Sequence, residues 1–183
     1  MTRMPHESSG PAARPRRIVI IGRPGSGKST LARRLGERLN LPVVHLDRLF
    51  WLPGWTQPDE AAFRARVQAS TEGPGWISEG NYDRTTFALR LPLADALIWL
   101  DPPRSLCLWR VIARNRRGGR RPDLPEGCEE RLNAEFLAFL RYVWRYDRDH
   151  RPRIEVGLAQ HGRHLQVHRL NSDAAVKAFW AAL

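Results

Sequence analysis

The chain has 183 residues, 42% hydrophobic and 27% charged, the mixture of one ordinary globular domain. No apolar run approaches the roughly 20 residues that span a bilayer, and no secretory apolar stretch follows the N-terminal arginines. Two cysteines, Cys107 and Cys128, make neither a disulfide scaffold nor a CxxC zinc pair, so a reducing, cytoplasmic setting is the expectation. The net charge is +11, yet two of the thirty bases are lysines, Lys28 and Lys177. In a chain that uses arginine almost everywhere, a lysine at position 28 points to a chemical requirement. Between Arg104 and Arg121 lie seven arginines (104, 110, 114, 116, 117, 120 and 121) and no acid. Such a patch seeks phosphate on a nucleotide, a nucleic acid or a membrane surface.

Residues 1–16 are rich in Pro, Ser, Gly and Arg without periodicity and read as a disordered tail, leaving 17–183 as the domain. Residues 17–21 are a continuous apolar run, the mark of a buried parallel strand. A loop over 22–29 follows, then a helix over 29–40 with Leu31, Leu35 and Leu39 on one face. A second strand is predicted over 42–47. Pro58, Asp59 and Glu60 suit the first turn of a helix over 58–71. Strands follow at 75–79 and 96–101, then a helix over 103–116. Residues 117–127 form a loop and 129–147 a longer helix carrying Leu132, Phe136, Leu140 and Val143. A fifth strand spans 164–170, and Ser172 or Asp173 caps a last helix. This alternation predicts a parallel sheet with helices on both faces. Ligands then sit beyond the carboxyl ends of the strands, where Asp47, Glu79 and Asp101 stand.

Gly22-Arg-Pro-Gly-Ser-Gly-Lys-Ser29 fits GxxxxGK[ST] at every position. The glycines let successive backbone N–H groups turn inward, and the following helix offers its N-terminus to the same point. Lys28 then reaches the β- and γ-phosphates of ATP and the Ser29 hydroxyl ligates Mg²⁺. The nucleotide-binding set is Gly22, Pro24, Gly25, Ser26, Gly27, Lys28, Ser29 and Thr30. An apolar strand before the motif and an amphipathic helix after it meet the structural requirement of a P-loop.

These residues, with His45-Leu-Asp-Arg-Leu-Phe-Trp51, Trp76-Ile-Ser-Glu-Gly-Asn-Tyr82, Leu100-Asp-Pro-Pro-Arg104 and Arg120-Arg-Pro-Asp123, give a chain that resembles the P-loop nucleotide kinases, which include adenylate, shikimate and gluconate kinases. The particular likeness is to the adenylate-kinase-related set labelled DNA topology modulation proteins. The resemblance covers roughly residues 17–170 and implies a three-layer α/β/α fold, with a five-stranded parallel sheet and a mobile arginine-rich lid over about 115–127. It implies an ATP- and Mg²⁺-dependent kinase acting on a nucleotide, a nucleoside or another small molecule, as monomer or homodimer. Asp47 would face and orient the acceptor, and Glu79 would order the water shell of Mg²⁺. Arg110 would stack under the adenine and Arg114 would reach the phosphates as a catalytic charge, while Asn81 and Tyr82 would border the acceptor pocket. Asp101 reads as a helix cap.

The chain departs from adenylate kinases in two places. Phe50 stands where they carry the arginine that holds the AMP phosphate. Gly80-Asn-Tyr-Asp83 replaces their Gly-x-Pro-Arg, with Arg84 and Arg90 out of register. Phe50, Trp51 and Trp55 either stack a flat acceptor or form the core of a small subdomain. The alternative function is a nucleotide-binding protein associated with nucleic acid, as the basic stretch and the set's label suggest, although no recognition motif is present. A signalling GTPase is disfavoured because no NKxD occurs.

Overall fold

The computed structural model describes residues 15–117 and 134–183. The predicted tail lies outside them up to residue 14, as does most of the lid, including Arg120 and Arg121, and so does Cys128. The ladder begins at Arg16, whose carbonyl accepts from the Trp76 N–H at 2.8 Å.

Five strands form one parallel sheet: β1 Arg17–Gly22, β2 Val43–His45, β3 Trp76–Glu79, β4 Ala96–Leu100 and β5 Gln166–Leu170, in the order β2-β3-β1-β4-β5. The first strand is central because residues 18–22 are buried on both faces. Side chains alternate across it. Ile18 and Ile20 join Leu31, Leu35, Ile77, Ile98 and Leu170 beneath α1 (Lys28–Leu39) and α8 (Asp173–Ala181). Val19 and Ile21 join Trp76, Phe87, Leu97, Trp99, Tyr146 and Ile154 on the other face. That face is covered by α4 (Asp83–Arg90), α6 (Ala134–Asp149) and α7 (Arg151–His161). Each fully buried Ile, Leu or Phe is worth about 1.5–3 kcal/mol, so the double-faced core holds the strand ends in fixed relation. The three-layer expectation is met. Among the described residues no helix is long and apolar enough to cross a membrane.

Two expectations are corrected. The second strand does not reach Asp47: it stops at His45, and Leu46–Phe50 forms a short helix, α2. The Trp51 N–H donates to the Asp47 carbonyl at 3.0 Å, and Leu46 turns into a small core with Phe63 and Val67. Phe63 and Val67 belong to α3 (Glu60–Ser70), which Asp59 caps by accepting from the N–H groups of Ala61 and Ala62. Second, among the described residues between β4 and β5 there are three helices rather than two: α5 (Arg104–Arg117), α6 and α7. The last was hidden by Pro152 and Gly157. Pro152 sits in the first turn of α7, where its missing N–H costs nothing. Gly157 is required by packing, since a Cβ there would lie 2.7 Å from the Phe87 ring of α4.

Candidate active site

The phosphate loop leaves β1 at the carboxyl edge of the sheet. Gly22, Gly25 and Gly27 have φ of +147°, +81° and +97°, conformations that L side chains avoid. Two of them are also pressed by neighbours. A Cβ on Gly22 would lie 2.2 Å from the Leu100 carbonyl oxygen, and one on Gly25 2.4 Å from that of Cys107 in α5. A Cβ on Gly27 would meet nothing within 4 Å among the described residues. The loop is thus packed on its sheet and α5 sides and open at the N-terminus of α1, the end that attracts anions.

Lys28 is largely shielded. Its Nζ donates to the Arg23 carbonyl at 3.3 Å and lies 3.9 Å from Glu79 Oε1. Glu79 closes β3, and its other oxygen meets His45 Nδ1 at 2.9 Å. Sequence reasoning recorded His45 as part of a motif and missed this contact; its place at the end of a strand beside β3 was the available signal. Ser26 Oγ is buried and has no hydrogen-bond partner among the described residues. Ser29 and Pro24 are half-buried, and Thr30 is exposed.

The turn after β3 carries more than the acid. The Asn81 side chain accepts from the Gly22 N–H at 2.9 Å and donates to the Gly22 carbonyl at 3.0 Å. Tyr82 has φ of +44° and its hydroxyl donates to Asp47 Oδ1 at 2.8 Å. Burial first, and then the Asp47 carboxylate, push the Tyr82 phenol far above its ordinary range, so it stays a donor at any working pH. Phe50, Phe63 and Tyr82 pack with ring centroids 4.8–5.0 Å apart, and Trp51 meets Trp55 at 5.1 Å. The aromatics after β2 are therefore a packed cluster that borders Asp47.

Arg90, out of register in the sequence comparison, proves to be the foundation of this turn. It is fully buried. Its guanidinium donates to Thr86 Oγ1 at 3.0 Å, Ser78 Oγ at 3.2 Å, the Gly80 carbonyl at 3.1 Å and the Asn81 carbonyl at 2.6 Å. Burial lowers its pKa from the ordinary guanidinium range to about 9, against the pull of Glu79 and Asp83, so it remains a cation at neutral pH.

Arginine and carboxylate alternate on the other side of the loop. The nearly buried Arg23 guanidinium bonds Asp147 of α6 and donates to the Pro102 carbonyl at 3.2 Å. Arg151 bridges Asp147 and Asp101, and Arg169 adds to Asp101 at 2.8 Å. Burial raises Asp147, yet the hydrogen bonds from Arg151 and Arg23 outweigh it and hold the carboxyl below its usual range. Asp101 is therefore a bridging anion for two arginines. Arg110 pairs with Asp173 at 3.1 Å, which sets it against the first turn of α8. Arg114 is half-buried one turn further along α5. The structure thus brings Lys28, Glu79 and His45 together, and separately Asp47 and Tyr82. Arg110 and Arg114 both lie on α5, the helix that packs over Gly25.

No protein-family profile matches the chain. It is 30% identical over 164 residues to adenylate kinase 2 of Nostoc sp., covering 74% of this chain and 86% of that protein. It is 35% identical over 134 residues to shikimate kinase of Bradyrhizobium diazoefficiens, covering 66% of this chain and 65% of that protein. Among solved structures, shikimate kinase from Acinetobacter baumannii in complex with shikimate superposes with a TM-score of 0.56 at 18% identity, over 91% of this chain and 90% of that one. A gluconokinase from Sinorhizobium meliloti gives 0.51 at 15% identity, over 92% and 90%.

Proposed function

The chain belongs to the P-loop nucleotide-kinase family, the family of its adenylate kinase relative, and on that premise we propose that it is an ATP-dependent phosphotransferase that moves the γ-phosphoryl group to a small-molecule acceptor. The carrying observation is the meeting of Lys28, at the open end of a strained glycine loop, with Glu79 at the end of β3. Phosphoryl transfer asks for positioning and charge stabilisation more than for strong acid–base chemistry. The loop and the α1 N-terminus cradle the phosphates. Lys28, which now donates to the loop's own carbonyl, turns to the β- and γ-phosphates, and the buried Ser26 hydroxyl gains an acceptor. Arg110 lies under the base and Arg114 adds charge at the phosphates. Asp47, held by Tyr82, accepts a hydrogen bond from the acceptor hydroxyl and so orients it for in-line attack.

The residues suit Mg²⁺. Among the described residues there is no cluster of three or more His, Cys, Asp or Glu that would form a cage for a metal. Instead, hard oxygens stand at the loop: the Ser29 hydroxyl and the Glu79 carboxylate, the kind of sparse set that leaves Mg²⁺ most of its waters and the phosphates. Bound there, the ion would supply charge neutralisation of the phosphates.

The acceptor is a nucleotide, a nucleoside or another hydroxyl compound. AMP is disfavoured by Phe50 in place of an arginine. The test is ATP consumption with Mg²⁺ across nucleoside monophosphates, nucleosides and small hydroxy acids, with Lys28→Met as control. One acceptor that raises turnover well above the control supports the reading. Equal turnover by Lys28→Met removes it.

A further inference from the structure

We propose that Asn81 is a positioning residue of the nucleotide site, fixing the first residue of the phosphate loop from the side; the proposal rests on the nucleotide reading above. Strand β3 runs beside β1 until Ile20 pairs with Glu79, and the Gly80 N–H still donates to the Ile20 carbonyl at 3.1 Å. One step later the backbones part, because β3 turns into α4 while β1 enters the loop. The Asn81 side chain continues the ladder across the gap, with one acceptor and one donor on the two polar groups of Gly22 at 2.9 and 3.0 Å. A side-chain amide is the group that can do this, since it carries an acceptor and a donor side by side.

Gly22 needs such a hold. It is buried, its φ is +147°, and a Cβ there would touch the Leu100 carbonyl oxygen on its other side. Its conformation fixes where the chain starts its curl, and hence where the inward N–H groups point. Asn81 is itself fixed. Arg90 grips the Asn81 carbonyl at 2.6 Å and that of Gly80 at 3.1 Å. Arg90 is fully buried, and among the described residues its guanidinium donates to four uncharged oxygens, of which the shortest contact is to the Asn81 carbonyl of this turn. The same turn presents Tyr82 to Asp47, so one buried arginine sets the turn that serves the nucleotide loop on one side and the acceptor carboxylate on the other.

The test compares wild type with Asn81→Ala in titrations of ATP, ADP and pyrophosphate. Asn81→Ala is expected to weaken all three by about tenfold, the scale of one net hydrogen bond, because the loop grips phosphates and not the base. Exchange of the Gly22 amide proton, read by NMR without nucleotide, is expected to quicken by at least as much. A merely structural role would lower the melting temperature and leave the affinity of the folded protein alone. Should Asn81→Ala fail to fold, Asn81→Ser, too short to reach both groups, is read in the same way. Affinity within twofold of wild type, or an unchanged Gly22 exchange rate, overturns the proposal and leaves the kinase reading standing. Loss confined to ATP and ADP with pyrophosphate unaffected also overturns it. Failure of the wild type to bind any of the three removes both.

Discussion

The phosphate loop offers a quantitative test in which two glycines of the same conformation respond differently to the same change. Gly25 and Gly27 have φ of +81° and +97°. Alanine in the left-handed region costs about 1–2 kcal/mol for the backbone alone. At Gly27 nothing among the described residues lies within 4 Å of a new Cβ, so Gly27→Ala is expected to lose about that and no more. At Gly25 the new atom would lie 2.4 Å from the Cys107 carbonyl oxygen and 3.0 Å from Val111 Cγ2. Both are parts of a buried helix face that cannot swing away, so overpacking adds about 1–3 kcal/mol. Gly25→Ala therefore loses about 2–5 kcal/mol in all. At this chain length 1 kcal/mol moves the melting temperature by about 2–4 °C. Urea unfolding without nucleotide separates the two variants. Equal losses, or a larger loss for Gly27→Ala, would refute the claim that the loop is pressed against α5 and open toward α1.

Other outcomes follow from the same contacts. Arg90 carries a depressed pKa, so below about 9 both folded and unfolded chains hold its proton and it adds no pH dependence. Above about 9 the folded state releases the proton first; the stability of wild type relative to Arg90→Met then rises with pH, by up to about 1.4 kcal/mol per unit, in urea melts between about pH 9 and 10.5. Asp147→Asn takes the carboxylate from Arg23, whose side chain is 3% exposed. With Asp147 itself 38% exposed, the expected loss is about 1–3 kcal/mol rather than that of a fully buried pair, read by denaturant unfolding. Because that carboxyl is held below its usual range, its contribution is present above about pH 4 and fades as the solution is acidified further, which an acid titration of both proteins measures. Gly157→Ala sets a methyl 2.7 Å from the buried Phe87 ring and is expected to destabilise by about 1–2 kcal/mol despite alanine's better helix propensity, again by urea melts.

The sheet and the phosphate loop were readable from the chain because both rest on local patterns. A continuous apolar run makes a central strand, and a spaced set of glycines makes a loop that only glycine can turn. What escaped depended on distant partners. Gly157 reads as a helix breaker until Phe87 is seen beneath it. Asn81 reads as a pocket-edge residue until Gly22, 59 positions earlier, is found against its amide. Arg90 looks like a surface base in an arginine-rich chain, and its burial follows from oxygens on β3 and the adjoining turn and helix. The acid at position 47 was found, but its strand was drawn too long, because Leu46 continues the apolar alternation while packing against Phe63 and Val67 from a helix. Within the described part of the basic stretch, Arg104 lies 4.1 Å over the Trp144 ring and Arg110 is paired with Asp173.

In the proposed reaction the terminal phosphoryl group of ATP passes from the Lys28 end of the loop to an acceptor held by Asp47. The most direct test supplies ATP labelled in its γ-phosphate, with Mg²⁺ and the acceptor that best stimulates turnover. Label is followed in wild type, Lys28→Met and Asp47→Asn. Label is expected on the acceptor's oxygen with wild type, none above background with Lys28→Met, and a fall of about 10²-fold or more with Asp47→Asn. Label appearing only as inorganic phosphate, or transferred at the wild-type rate by Lys28→Met, would contradict it.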